Sequence, residues 1–475
     1  MSGSAPKTGD WYDHEVDIEA FSDKRLGERL RTLVAQLARA VGAPIPMACR
    51  DWANTKAAYR FLSNDTVGEA EILAGHFQAT RNRATAVDGL ILVLQDTTEF
   101  TYKRADPEKI GAIGLTPVGR DLHGHIERRK ICGLLMHASL AMTLEGLPLG
   151  LSAAKFWTRS QFKGTNALRG RINPARIPIE QKESIRWLEN MRQSVELLGR
   201  PERLVHIGDR ENDIYEFFCT ANELETHFLV RTCVNRLAGD GRHTIADEMT
   251  EVKAQGVHRV VIGIGKSSGQ SDIAELELRY KQIRVLPPIG KHKRYPTQTL
   301  TVIHATERTA PTGRPRIDWK LITDLPITSL QEAIEKLDWY AQRWKIEVFH
   351  KILKSGCRAE EAKLRTANRL VNLIAVFCIL SWRIFWMTMI NRTAPMASPQ
   401  LALTDVEIAT LDRLQHSKKR NSKKSLSSYI VKIACLGGYL ARAHDPPPGN
   451  MVIWRGWHRL NDIVLGATIN RNTYG

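Results

Sequence analysis

The chain has 475 residues, of which 43% are hydrophobic and 25% charged, a composition of a soluble globular protein with room for about two to four domains. Its 68 Lys+Arg outweigh 51 Asp+Glu, giving a formal net charge of +17, which suits a polyanionic partner without identifying one. Seven cysteines (49, 132, 219, 233, 357, 378 and 435) are scattered with no CxxC pair and no His/Cys zinc spacing, so they argue against a disulfide scaffold or a structural zinc site.

Residues 1–70 read as a small helical unit. FSDKRLGERLRTLVAQLARA carries Leu26, Leu30, Leu33, Val34, Leu37 and Ala38 at helical spacing, with Arg25, Arg29, Arg31 and Arg39 around it. DWANTKAAYRFLSN adds Lys56, Tyr59 and Arg60. On spacing alone, solvated arginines explain these cations equally well. A short helical link over 67–83 leads to an apolar run at 90–94, bounded by Asp88-Gly89, that predicts a buried strand delivering Asp96 at its carboxyl end. An aspartate there can also simply cap the following turn. Residues 131–143 and 147–156 predict a hairpin turning at Leu144-Glu145-Gly146, and the polar stretch 158–176 reads as a loop.

IEQKESIRWLENMRQSVELL is an amphipathic helix bearing Ile185, Leu188, Met191 and Val195. A second strand, 204–207, runs into Gly208-Asp209-Arg210-Glu211-Asn212-Asp213, which presents a carboxylate at a sheet edge. Arg210, Glu211 and Asp213 read as supporting residues. Further on, Glu275, Glu277, Arg279 and Lys281 alternate with Leu276, Leu278 and Tyr280, and strand runs recur at 260–264, 299–303 and 319–323. Between them the loop Lys291-His292-Lys293-Arg294-Tyr295 mixes charge with an aromatic ring, as a DNA-lining or a solvated loop would.

The stretch 329–354 reads as one helix, opened by the capping box of Ser329 and Glu332. At about 100° per residue, Tyr340, Arg343, Glu347 and Lys354 fall within an arc of about 60°, opposite Ile346, Phe349, Ile352 and Leu353. A solvated face with a Glu347–Lys351 ion pair would have the same pattern. The apolar stretch 370–390 contains Asn372, Ser381 and Arg383, so it reads as a buried core helix rather than a membrane span. A linker at 391–399 precedes a helical end with a basic patch (Lys418, Lys419, Arg420, Lys423, Lys424) and the run Ile453-Trp454-Arg455-Gly456-Trp457.

Tyr340, Arg343, Glu347 and Lys354 spell Tyr-x2-Arg-x3-Glu-x6-Lys within YAQRWKIEVFHKILK. This closely resembles the signature of bacterial DDE transposases of the insertion-sequence-four family, above all its Tn-five-like group. The resemblance runs from about residue 10 to 465 and takes in Q-D-T-T at Asp96, D-R-E-x-D-I-Y at Asp209 and K-E-S-x-x-W-L in the helix between them. It implies that Asp96, Asp209 and Glu347 hold two Mg²⁺ ions, with Mn²⁺ able to substitute, and that Tyr340, Arg343 and Lys354 surround the scissile DNA end. D-K-R-L-x-x-R-L and K-A-A-Y-R-F resemble the family's amino-terminal DNA-binding module, which implies contacts to the transposon end from Arg25, Arg29, Arg39, Lys56 and Arg60. Arg231, Lys291, Lys293 and Arg294 are further expected DNA contacts, and Trp319 is expected to stack on a flipped-out base.

The fold so implied is α/β: a ribonuclease-H-like core over 71–390 with a β insertion at about 235–325, between a helical DNA-binding domain (1–70) and a helical dimerisation domain (391–475). The segment between the first two acids is longer than in the Tn-five-like group, which leaves 158–176 without a role. The implied activity is cut-and-paste transposition: cleavage of inverted-repeat ends through a hairpin, then joining of the 3′-OH ends to target DNA. A ribonuclease-H-like nuclease without strand transfer and a non-catalytic DNA-binding repressor are the alternatives. The expected partners are transposon-end and target DNA, with a homodimer in the DNA-bound complex, a monomer when free, and no membrane. The dispersed thiols and polar start MSGSAPKTGD lead to a cytoplasmic expectation.

Overall fold

The computed structural model describes residues 10–104, 106–120, 124–159, 177–264, 271–309, 311, 314–414 and 424–471. The basic residues 418–420 and 423, and the 160–176 part of the expected loop, lie outside these. Helix α1 (Lys24–Arg39) starts where the Asp23 carboxylate accepts from the Arg25 amide at 2.9 Å, and it buries Leu30, Leu33, Val34 and Leu37. The short α2 (Ile45–Cys49) ends on Arg50 at φ 67°, and α3 (Trp52–Leu62) begins at once, capped by Asp51. Helix α4 (Glu69–Thr85) extends past the expected link and packs on the central sheet.

That sheet is built from β1 (Ile91–Thr101), β2 (Ala112–Arg120), β3 (Ile126–Met142), β4 (Pro148–Trp157), β5 (Leu204–Gly208) and β6 (His227–Arg231). Strand β5 follows helix α5 (Ile185–Leu198), and β6 follows α6 (Tyr215–Glu223). Two-residue strands β7 (Leu237–Ala238) and β8 (His243–Thr244) and helix α7 (Ile245–Thr250) precede β9 (Gly256–Ile264), β10 (Ser271–Val285), β11 (Gln298–Glu307) and β12 (Asp318–Thr323). The order is β2-β3-β1-β5-β6-β12-β11-β10-β7-β8, with β4 on β3 and β9 on β10. Strands β1, β5 and β6 are parallel, whereas β3 is antiparallel to β1. The strand runs expected at 260–264, 275–281, 299–303 and 319–323 all form. They continue the same sheet, because β12 pairs antiparallel with β6.

Two expectations need correction. The strand expected to stop before Asp96 runs on to Thr101, since β3 pairs with it as far as Thr101↔Gly133. The single helix expected at 329–354 is divided into α8 (Leu330–Ala341), α9 (Trp344–Lys351) and a π turn (Ile352–Gly356). At the first join the amides of Gln342, Arg343, Lys345 and Ile346 bond three residues back, at 2.9–3.2 Å. At the π turn the Cys357 amide reaches five back, to the Ile352 carbonyl at 3.0 Å. Tightening and then loosening re-aim the polar face that a uniform helix would fix, and such irregularities recur at functional sites.

Helix α10 (Ala367–Thr393) is long and apolar enough to cross a membrane, yet its apolar window is wholly buried in protein. Asn372 donates to the carbonyls of Leu62 (3.2 Å) and Val67 (3.1 Å), and Arg383 donates to that of Ala402 (2.6 Å). These bonds, with the Ser381 hydroxyl 3.3 Å from Cys357 Sγ, engage the polar groups that spoiled the membrane reading, although Arg383 Nε keeps no hydrogen-bond partner among the described residues. Helices α11 (Asp405–Leu414), α12 (Leu426–Leu436) and α13 (Asn450–Arg471) close the chain. One core runs from Tyr12 and Leu30 through Leu140 and Phe385 to Leu460, so the three expected regions share it. Trp457 is buried in it and half-buried Trp454 packs over Gly356.

The segment before α1 is tied to the sheet by a buried ionic contact. Glu15 sits 2.6 Å from both His76 Nδ1 and Arg83 Nη1, His76 Nε2 accepts from the Leu151 amide of β4 at 3.0 Å, and Arg83 lies over the Trp382 ring.

Candidate active site

Parallel pairing sets the level of the first two acids. Ile91 to Leu94 pair in order with Leu204 to Ile207, an offset of 113 residues (207 − 94). Asp96 and Asp209 are separated by the same 113 (209 − 96), so they sit side by side just past the paired segment. Asp209 caps the short turn Arg210–Asn212, accepting from the Glu211 amide at 2.9 Å. Gly208 is required there: a Cβ on it would fall 2.3 Å from Nδ2 and 2.5 Å from Cβ of the Asn212 side chain. Asp213, the last acid of the motif, is structural: it is buried, ion-paired with Arg236 at 2.5 Å, and accepts from Thr232 and the Cys233 and Val234 amides.

Helix α9 packs against β1 and brings in the third acid. Glu347 is half exposed and ion-paired with Arg343, not with Lys351. Burial raises the Asp96 carboxyl to about 7; Asp209 and Glu347 push it the same way, while Arg343 opposes. Two further acids and one guanidinium therefore act on the Asp96 carboxyl. His350 Nδ1 lies 3.7 Å from Asp96, but burial and Lys354 lower its pKa to about 3, so the contact is not an ion pair at neutral pH.

Tyr340 is buried, edge-on to Trp319 at 5.6 Å, and its hydroxyl, raised by burial, feels both Arg343 and Arg231. Lys354, on the π turn, places its ammonium 5.7 Å from the Phe100 ring of β1. The structure thus gathers Tyr340, Arg343, Glu347, Asp96, Asp209, Arg231 and Trp319, with Lys354 further along β1.

Other expected contacts divide. Arg25, Arg39, Lys56 and Arg60 are exposed on α1 and α3, while half-buried Arg29 donates to Asn54 at 3.4 Å, which joins those helices. Lys291 is held 2.5 Å from Glu216, which is nearly buried, and Arg294 is held 2.8 Å from Glu180. Only Lys293 of that trio keeps its charge unpaired among the described residues. Beside Asp209 a groove of about 880 Å³ is lined by Arg210, Arg231, Lys253, Arg279 and Lys320, whose cations suit phosphate.

Behind the acids lies a polar layer that the sequence reading did not identify. On the opposite sheet face from Asp96, Gln95 donates to His206 Nδ1 at 3.2 Å and accepts from His137 Nε2 at 3.4 Å, while Thr97 donates to His137 Nδ1 at 2.9 Å. Burial takes both histidines down to about 3, so they are neutral, and the donors and acceptors alternate consistently across β3, β1 and β5. The signal was available: His206 and Gln95 are polar residues in otherwise apolar runs.

Among the described residues, no three His, Cys, Asp or Glu side chains stand close enough together to hold a metal ion. Glu347 is engaged by Arg343 and would have to turn from it. The donor chemistry nevertheless fits a hard divalent cation, since three carboxylates supply only oxygen and Asp96 feels the like charges of Asp209 and Glu347, which Arg343 opposes.

Residues 8–67 match the family model described as Transposase DNA-binding. The matched segment contains α1, α2 and α3, with Arg25, Arg29, Arg39, Lys56 and Arg60. This similarity supports a DNA-binding role for these helices and a transposase reading of the chain.

Proposed function

We propose that the protein is a cut-and-paste DDE transposase of the insertion-sequence-four family, nearest its Tn-five-like group, cleaving and joining DNA through Asp96, Asp209 and Glu347. The observation that carries this reading is the shared level of Asp96 and Asp209 just past the parallel pairing of β1 and β5, faced by Glu347, in a chain whose residues 8–67 match a transposase DNA-binding model. The central strand order β4-β3-β1-β5-β6 and the helices on both faces support a ribonuclease-H-like core.

Asp96, Asp209 and Glu347 would hold two Mg²⁺ or Mn²⁺ ions, which when bound supply activation of the attacking oxygen and stabilisation of the leaving one. Arg343 partners Glu347 until then and afterwards is free to hold a phosphate. Half-buried Trp319, backed edge-on by Tyr340, is the ring on which an unpaired base stacks, and Arg231 and Lys354 hold phosphates. Water attack nicks the end; the freed 3′-OH then closes a hairpin and, after reopening, attacks target DNA. Two ends call for a pair of protomers assembled on DNA from a monomeric cytoplasmic pool.

The decisive experiment is cleavage of supercoiled DNA bearing the element's ends in Mg²⁺. Asp96→Ala, Asp209→Ala and Glu347→Ala should each abolish cutting while keeping end binding, because the DNA-binding helices lie elsewhere. Near wild-type cutting by any one variant would remove that acid from the assignment.

A further inference from the structure

Strands β2 and β3 outrun the sheet they belong to. The last β1–β3 pair is Thr101↔Gly133, yet β3 begins at Ile126 and pairs there with β2 alone, out to Arg120↔Ile126. Residues 126–130 of β3 and 117–120 of β2 are exposed without interruption, so both faces of this two-stranded arm meet solvent. Ala138 pairs with Asp96, and Ile126 lies 12 residues (138 − 126) further along β3. At about 3.4 Å per residue the arm reaches about 40 Å beyond the catalytic level, toward the sheet edge on which Asp209 lies.

An isolated two-stranded ribbon buries too little to be stable alone, so such a length of it asks for a reason. Register sorts its side chains. Lys130 pairs with Leu115, Arg128 with Pro117 and Ile126 with Arg120, and these share one face. That face therefore carries three cations, Arg120, Arg128 and Lys130, beside Leu115 (39% exposed) and Ile126 (54%). Arg128 and Lys130 have no acidic partner among the described residues, and Arg120 only donates to the Gly124 carbonyl at 3.3 Å. A ribbon of this width fits a DNA major groove, and its cations suit the phosphates on either side.

We propose that the β2–β3 arm is a second DNA-contacting element, gripping the backbone of a duplex that lies across the edge carrying Asp96 and Asp209. This rests on the transposase reading and adds a surface separate from the amino-terminal domain. The contacts are to phosphates, so they carry no sequence preference.

The test is the affinity of the full-length protein for a cognate-end duplex and a scrambled duplex across salt concentrations. Arg120→Ala/Arg128→Ala/Lys130→Ala should lower the slope of log K against log salt by about 2 to 3 units on both duplexes, since each lost phosphate contact removes about 0.9. Replacing Arg120 and Arg128 by Lys should keep the wild-type slope, which separates loss of charge from misfolding. If wild type binds and the triple-Ala variant shows the same slope, the arm proposal is overturned and the transposase reading stands. A triple-Ala variant that binds normally but sediments as a smaller species than wild type would make the arm a contact between protomers, again overturning it. If wild type binds neither duplex at any salt, both readings fall.

Discussion

Asp96 should make the apoprotein less stable as pH rises, and Asp96→Asn should remove that loss. The folded carboxyl titrates at about 7, against an ordinary value of 3.8. Between those values the native state binds more protons than the unfolded chain, so stability falls with rising pH. Below 3.8 both states are protonated, and above about 7 both are ionised and the loss is complete. A gap of about 3 pH units at 1.36 kcal/mol per unit puts the loss on the order of 4 kcal/mol. Urea unfolding in EDTA from pH 4 to 8 should show wild type weakening across that window while Asp96→Asn stays nearly flat. The two should agree within about 1 kcal/mol at pH 4 and separate above pH 7 in favour of Asn. Mg²⁺ at a hundred times its Kd should then return about 2.7 kcal/mol to wild type and little to the variant. Parallel pH profiles for the two proteins would refute the reasoning, because they would show that Asp96 is not held in a hostile environment.

Three further outcomes are expected. Gln95→Leu strands His206 Nδ1 and His137 Nε2 in the interior, at about 1–3 kcal/mol for each unpaired group; it should lower the melting temperature and cleavage while end binding holds. Gly208→Ala drives a methyl to 2.3 Å from Asn212 Nδ2, so it should cost about 1–3 kcal/mol and lower turnover more than DNA affinity, measured by single-turnover cleavage and gel shift. Arg60→Ala, on exposed α3, should lower the salt slope of end binding by about one unit, and Arg29→Ala should also loosen the α1–α3 contact, seen as a lower melting temperature.

Most of the elements that carry the candidate site were legible because strand and helix periods are local. The apolar runs before Asp96 and Asp209 mark buried strands, and the acids follow where the runs end. The capping box at Ser329 starts α8 where expected, with the Glu332 amide bonded to the Ser329 hydroxyl at 3.2 Å. What escaped depends on partners far away in sequence. The continuation of β1 to Thr101 is imposed by β3, and the break at Gln342 comes from three-residue hydrogen bonding that a wheel drawn at constant pitch has no means to show. Lys291 and Arg294 look like open charges in the sequence, but Glu216 and Glu180, contributed by distant segments, engage them. The packing of Trp454 and Trp457 has the same origin: an aromatic pair on a helix names no neighbour until Gly356 leaves room for one.

If the proposed function holds, the buried contact of Glu15 with His76 and Arg83 fixes where the DNA-binding helices stand relative to the three acids. Glu15 precedes α1, and its two partners belong to α4, which lies on β4. A module tethered by a flexible linker would sample many separations between the bases it recognises and the bond that is cut. Here the separation is a dimension of the folded chain, so the number of base pairs from recognised sequence to cut would be set before DNA arrives. An element whose ends gained or lost a base pair in that interval would then be misread by a whole step of the helix, and its ends would drift only as fast as this joint could be rebuilt.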